Sequence, residues 1–238
     1  MSVRYALDGD VATFTLDRPE ARNAVNTAVC DGLLEACARA IADDAKLVFV
    51  RASGPVFSAG ADMKERQGMS TEQAMERRMK AFAAYAALEA LPMPAVAVAQ
   101  GPVIGSGCEI AAACDFIVAT PQAYFATPEA LRGTVGATQR LARALGARLV
   151  KDMMFTGRRL EAAEAERHGL VSRLVEPDKL EEALAAIAQA VTAAPQSALR
   201  LAKRVLDAAE AQHRAQALER EVEAIREQLA AGGGLNRA

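Results

Sequence analysis

The chain has 238 residues, 52% of them hydrophobic and 24% charged, with a formal net charge of −2. That balance excludes a disordered tail protein and leaves a packed chain of one large domain, or a domain with an appendage. Lys and Arg are nowhere gathered into a stripe, so the electrostatic footprint of a nucleic-acid binder is missing and no nucleic-acid partner is expected.

The first twenty residues carry Arg4, Asp8, Asp10 and Asp17 without an apolar core, so no secretory signal is visible and a cytoplasmic protein is expected. Val3 to Leu7 and Val11 to Leu16 flank Asp8-Gly9-Asp10, which predicts an opening hairpin. After the turn Asp17-Arg18-Pro19-Glu20, Asn26 is placed to cap a helix. Val29, Leu33, Leu34, Cys37 and Ile41 share one of its faces, and it ends near Asp43-Asp44. Leu47 to Val50 reads as a buried strand feeding the Gly-, Ser- and Pro-containing loop Ser53 to Asp62. Ser70 to Gln73 matches a capping box before a helix reaching about Leu91, and Ala95 to Ala99 reads as another buried strand. The longest uncharged run, Ala90 to Cys108, contains Pro92, Pro94 and Pro102, which a membrane-spanning helix hardly tolerates, so no membrane partner is expected.

The loop Gln100 to Gly107 leads to a helix near Glu109 to Ala113, strand-like Phe116 to Ala119 and Ala123 to Phe125, and a turn at Pro128. Strands alternating with helices imply an α/β fold with largely parallel sheets. Beyond Thr138 the pattern is mostly helical, with stops at Gly146, Gly157 and Gly169 and a brief strand at Val171 to Val175. From Asp178 to Ala230 only Pro195 interrupts a run of helix-forming residues, and the Gly232-Gly233-Gly234 tail is expected to fray. Residues 1–177 are expected to form the core, and 178–238 a helical assembly or lid element with apolar positions such as Leu180, Leu184, Ile187 and Val191.

Chemistry is sought first in two loops that each follow a buried strand, Gly60-Ala61-Asp62 and Gly105-Ser106-Gly107. The second immediately precedes a helix, so its N–H groups could meet developing negative charge and, with the first loop, form an oxyanion hole. The same glycines would equally serve as tight turns. Glu109 sits in the apolar run Cys108 to Cys114, so it is either held by a partner, kept for proton chemistry, or simply a charge at a helix start. Glu129 after Pro128 suits a first helical turn for dipole reasons alone, yet two carboxylates facing one water would be a competent acid and base pair. Cys30, Cys37, Cys108 and Cys114 form no C-x-x-C pair, and the only histidines are His168 and His213, so no zinc site is expected. Ile110 occupies the third-glycine position of a dinucleotide fingerprint, and Ile104 and Val56 stand where a nucleophile elbow needs glycine before Ser106 and Ser58.

Several ordered segments resemble one family, the enoyl-CoA hydratase/isomerase or crotonase superfamily. Phe14 to Asn26 resembles its N-terminal signature, Phe57 to Glu65 its first oxyanion loop, and Pro94 to Asp115 its strand, second oxyanion loop and helix. Phe125-Ala126-Thr127-Pro128-Glu129 is similar to its second glutamate motif, and Thr156-Gly157-Arg158 with His168-Gly169-Leu170-Val171 to the segment that follows. The resemblance implies a crotonase-like spiral of ββα units with a helical C-terminal region, assembling as a homotrimer or a dimer of trimers. It implies an acyl-CoA thioester as substrate and no metal or redox cofactor. The N–H groups of Ala61 and Ser106 would hold the thioester oxygen, and Glu109 and Glu129 would be the catalytic carboxylates. Arg22, Ala24, Ala61, Asp62, Met63, Lys64 and Ser106 would bind substrate and CoA.

Both glutamates at family spacing favour an enoyl-CoA hydratase. A Δ3,Δ2-enoyl-CoA isomerase or another crotonase-type enzyme is the first alternative, and a non-catalytic binding or assembly protein of the same fold the second. The family usually carries glycine where Ser106 stands, and Glu129 to Thr138 is about two residues shorter than the common version.

Overall fold

The computed structural model describes the backbone of residues 2–230, and the side chains of that span apart from 209–217, 220 and 228; Gly232-Gly233-Gly234 lies outside the described residues. The chain opens with the hairpin β1 (Val3–Asp8) and β2 (Val11–Leu16), then α1 (Thr27–Ala42) and β3 (Leu47–Ala52). The short α2 (Met63–Arg66) and long α3 (Thr71–Glu89) precede β4 (Ala95–Ala99), β5 (Val103–Ile104), α4 (Ser106–Ala112), β6 (Phe116–Ala119) and β7 (Tyr124–Ala126). Then come α5 (Gln139–Leu145), α6 (Ala147–Thr156), β8 (Leu160–Glu161), α7 (Ala162–Arg167), β9 (Arg173–Leu174), α8 (Leu180–Ala193) and α9 (Gln196–Ala230).

Local signals explain most boundaries. Asn26 caps α1 by accepting a hydrogen bond from the Val29 N–H at 3.0 Å. Ser70 and Gln73 close a complete capping box on α3. The fourth helix begins at Ser106, three residues before the expected Glu109, because Gly105 rather than a capping side chain stands at its head.

The strands β1-β2-β3-β4-β6-β9 form one sheet, antiparallel only at the β1–β2 hairpin, while β5-β7-β8 form a second, smaller sheet. This is a mixed α/β architecture. Alternation along β3 and β4 sends Val48, Val50, Ala95, Ala97 and Ala99 to one face, into a core that α4 closes over β4 and α1 over β1 and β2, with α3 packed on α1. Leu47, Phe49, Val96 and Val98 face the other way, against Leu180, Leu184 and Ile187 of α8. The expected intersubunit role of those helix residues is thereby corrected. They are buried within the chain because the second apolar face of the sheet needs a cover, with Val191 partly buried beside them.

Candidate active site

The loop Gly60-Ala61-Asp62 is held by the chain that follows β2. Asn23 is buried with φ +53°, its Nδ2 donating to the carbonyls of Ser53 and Val56 at 2.8 Å and its Oδ1 accepting from the Arg18 N–H at 2.8 Å. Arg18 donates to the Ala24 carbonyl at 2.6 Å and pairs with Asp62 at 3.0 Å. Asp62 also caps α2, accepting from the N–H groups of Lys64 and Glu65. The Val25 N–H donates to the Gly60 carbonyl and the Asp62 N–H to the Val25 carbonyl, so in this parallel bridge the Ala61 N–H points away from Val25.

Two glycines let the loops meet. Gly60 has φ +90°, and a Cβ there would lie 3.1 Å from the Ile104 carbonyl oxygen. Gly105 has φ +51°, and a Cβ there would fall 2.2 Å from Glu129 Oε1, closer than real Cβ contacts allow. Ala61 and Ser106 consequently line one small chamber of about 40 Å³, together with Met63 and Glu129. Neither the Ala61 nor the Ser106 N–H donates a backbone hydrogen bond within the described residues. Two such donors at one chamber wall suit an oxyanion. The Ser106 hydroxyl lies near the Tyr85 phenol, whose deep burial pushes its pKa up.

The carboxylates come from separate elements. Glu109, 2% exposed, lies within α4; its Oε2 accepts from Arg140 Nη1 at 2.6 Å, and its buried Oε1 has no partner. Arg140 on α5 also donates to Glu89 at 2.7 Å, and Arg143 grips the other Glu89 oxygen at 2.7 Å. Burial raises the Glu109 pKa, and the Arg140 guanidinium opposes that rise. Glu129 follows β7 and has a buried Oε2 with no partner. Its pKa is raised to about 7, chiefly by burial and also by the Glu109 charge, against the pull of Arg78. A third carboxylate, Glu221 on α9, is 4% exposed with both oxygens unpartnered, and burial followed by the Glu109 charge raises it to about 7.

Of the expected site residues, Ala61, Met63, Ser106 and Glu129 share the chamber, and Glu109 stands one helical turn behind Ser106. Arg22, Ala24, Asp62 and Lys64 do not line it. Arg22 and Lys64 are exposed, and Arg22 is tied to the first loop by its carbonyl, which accepts from the Ala59 N–H at 2.9 Å. The Asp62 side chain is committed to Arg18 and the head of α2. Among the described residues no group of three or more His, Cys, Asp or Glu side chains is arranged to hold a metal ion. Arg140, Arg78 and Glu221 went unread in the sequence.

A sequence profile for the enoyl-CoA hydratase/isomerase family matches residues 7–231. A protein of Rhizobium meliloti named a probable enoyl-CoA hydratase is 42% identical over 184 residues, covering 75% of this chain and 70% of that one. A short-chain-enoyl-CoA hydratase of Clostridium acetobutylicum is 34% identical over 208 residues, covering 84% and 78%. The crystal structure of an enoyl-CoA hydratase/isomerase from Xanthobacter autotrophicus superposes with a TM-score of 0.90 at 31% identity, covering 96% of this chain and 87% of that one.

Proposed function

The chain belongs to the enoyl-CoA hydratase/isomerase family, and on that premise we propose that it adds water across the 2,3 double bond of a 2-enoyl-CoA thioester. The observation that carries this reading is the pair of buried carboxylates, Glu109 and Glu129, each keeping one oxygen without a protein partner. A water held between those two oxygens has an acceptor for its proton and a donor beside it. The Ala61 and Ser106 N–H groups hold the thioester oxygen and stabilise the enolate charge that develops there.

The electrostatics divide the labour. Glu109 has a guanidinium at 2.6 Å that opposes the rise burial imposes on its pKa, a counter-charge Glu129 lacks, and on that difference it is assigned as the base that takes a proton from water as oxygen adds at C3. Glu129 has no ion pair within 4 Å among the described residues and is held up to about 7, which makes it the acid that protonates C2. Arg22, Ala24 and the stretch Ala61 to Lys64 lie along the CoA moiety in this reading. Nothing in the step calls for a metal or redox cofactor.

Purified protein offered 2-enoyl-CoA and 3-enoyl-CoA substrates of matched length is expected to hydrate the first set. Conversion of the 3-enoyl set alone would establish an isomerase, and binding of CoA thioesters without turnover would establish a non-catalytic protein.

Assembly as a homo-oligomer, a trimer or dimer of trimers, belongs to the same reading. Leu201, Val205 and Leu206 of α9 are exposed, at 51%, 61% and 72%, and Phe155 at 64%. Light scattering at micromolar concentration is expected to give a multiple of the 25.1 kDa chain mass. A persistent 25.1 kDa species would refute it.

A further inference from the structure

The chamber beside Glu129 combines apolar walls, among them Met63, Ile104 and Pro128, with three guanidinium groups. Arg66, Arg78 and Arg132 all line it, and Glu129 is its single carboxylate among the described residues. Arg78 and Arg132 form no ion pair within 4 Å among the described residues, whereas the neighbouring Arg77 is committed to Glu65. Arg78 is pressed against the segment just after Glu129, since a Cβ on Gly136 would lie 2.6 Å from Arg78 Nη1. Arg66 is 7% exposed, and burial, followed by the charges of Arg78 and Arg77, pushes its pKa down to about 10.

The direction of the substrate follows from the proposed hydratase reading, on which this inference rests. With the thioester oxygen at Ala61 and Ser106, an acyl group that enters the chamber beside Glu129 has Arg78 and Arg132 among its lining. A neutral alkyl tail would strip water from the half-buried Arg78 guanidinium and return no hydrogen bond. A carboxylate there accepts charge-assisted, forked hydrogen bonds from them. The small chamber suits a short chain. We infer that the preferred substrate is a short 2-enoyl-CoA whose acyl group ends in a carboxylate, recognised by Arg78 and Arg132.

Two saturated, unreactive probes separate recognition from turnover. Glutaryl-CoA carries the terminal carboxylate, and 5-methylhexanoyl-CoA replaces its two oxygens with methyl groups. Calorimetry on the full chain is expected to give at least about tenfold tighter binding of glutaryl-CoA. In Arg132→Gln, and in the double variant Arg78→Gln with Arg132→Gln, that preference should shrink at least about threefold while the affinity for free CoA stays in place. Equal or tighter binding of the neutral probe overturns the inference. So does an equal loss of free CoA affinity in the variants, which would assign the guanidinium groups to the CoA phosphates. In turnover, 4-carboxybut-2-enoyl-CoA is expected to exceed 5-methylhex-2-enoyl-CoA in kcat/KM, chiefly through KM. Hydration of the neutral substrate alone refutes the inference and leaves the hydratase reading standing. Tight glutaryl-CoA binding with hydration of neither substrate refutes the hydratase reading and leaves the recognition standing.

Discussion

Glu109→Gln and Glu129→Gln each lower 2-enoyl-CoA hydration by at least about a hundredfold, the low end for removing a general acid or base, while folding and CoA binding persist. Glutamine keeps an oxygen that can accept the Arg140 Nη1 hydrogen bond at position 109, so that substitution does not strand the arginine. The double variant is little worse than the poorer single one, because two groups acting on one water fail together. The pH dependence carries a sign. With Glu129 as the acid and its pKa at about 7, kcat/KM falls as pH rises through that value and the group ionises. That alkaline limb disappears in Glu129→Gln. Near-normal hydration by either single variant would overturn the two-carboxylate mechanism.

Arg140→Met is the substitution expected to harm the fold most. Arg140, 4% exposed, stands between Glu109 and Glu89, and its removal leaves Glu109 buried beside no cation within 4 Å. Breaking a buried pair from one side costs about 3–5 kcal/mol, which for a chain of this size lowers the melting temperature by roughly 10 °C. Arg140→Lys recovers only part of that loss, since a single ammonium cannot fork to both carboxylates as the guanidinium does. Differential scanning calorimetry reads both variants. A melt for Arg140→Met within about 2 °C of the native value would show that Glu109 is neutral in the fold and needs no counter-charge.

What was legible in the sequence was local. The Asp8-Gly9-Asp10 hairpin, the Asn26 cap and the Ser70 capping box depend on residues within a few positions of one another, and all three are formed. The start of α4 was misplaced because a glycine at positive φ announces a turn but not which residue begins the helix. The face of α8 was assigned to a neighbouring subunit because an apolar stripe looks the same whether it covers a sheet of its own chain or another copy. At the site, the two loops and two glutamates stood out through motif and spacing. The groups that set their charge state did not. Arg140 meets Glu109 across 31 positions and Glu221 arrives from the far end of α9, inside a charged run that reads as a solvated helix face. Long-range electrostatic pairing has no period to detect.

The bare α-carbon at residue 105 also shapes how this enzyme can diversify. Any side chain there would displace Glu129, so the second carboxylate and the head of α4 can change only together. Variation that keeps the chemistry is thereby directed to the turn after Glu129, where Leu131 and Arg132 are exposed, and it stops at Gly133, whose φ of +68° resists a side chain. A library built to alter acyl selectivity should leave Gly105 and Gly133 untouched and spend its diversity on residues 130–132.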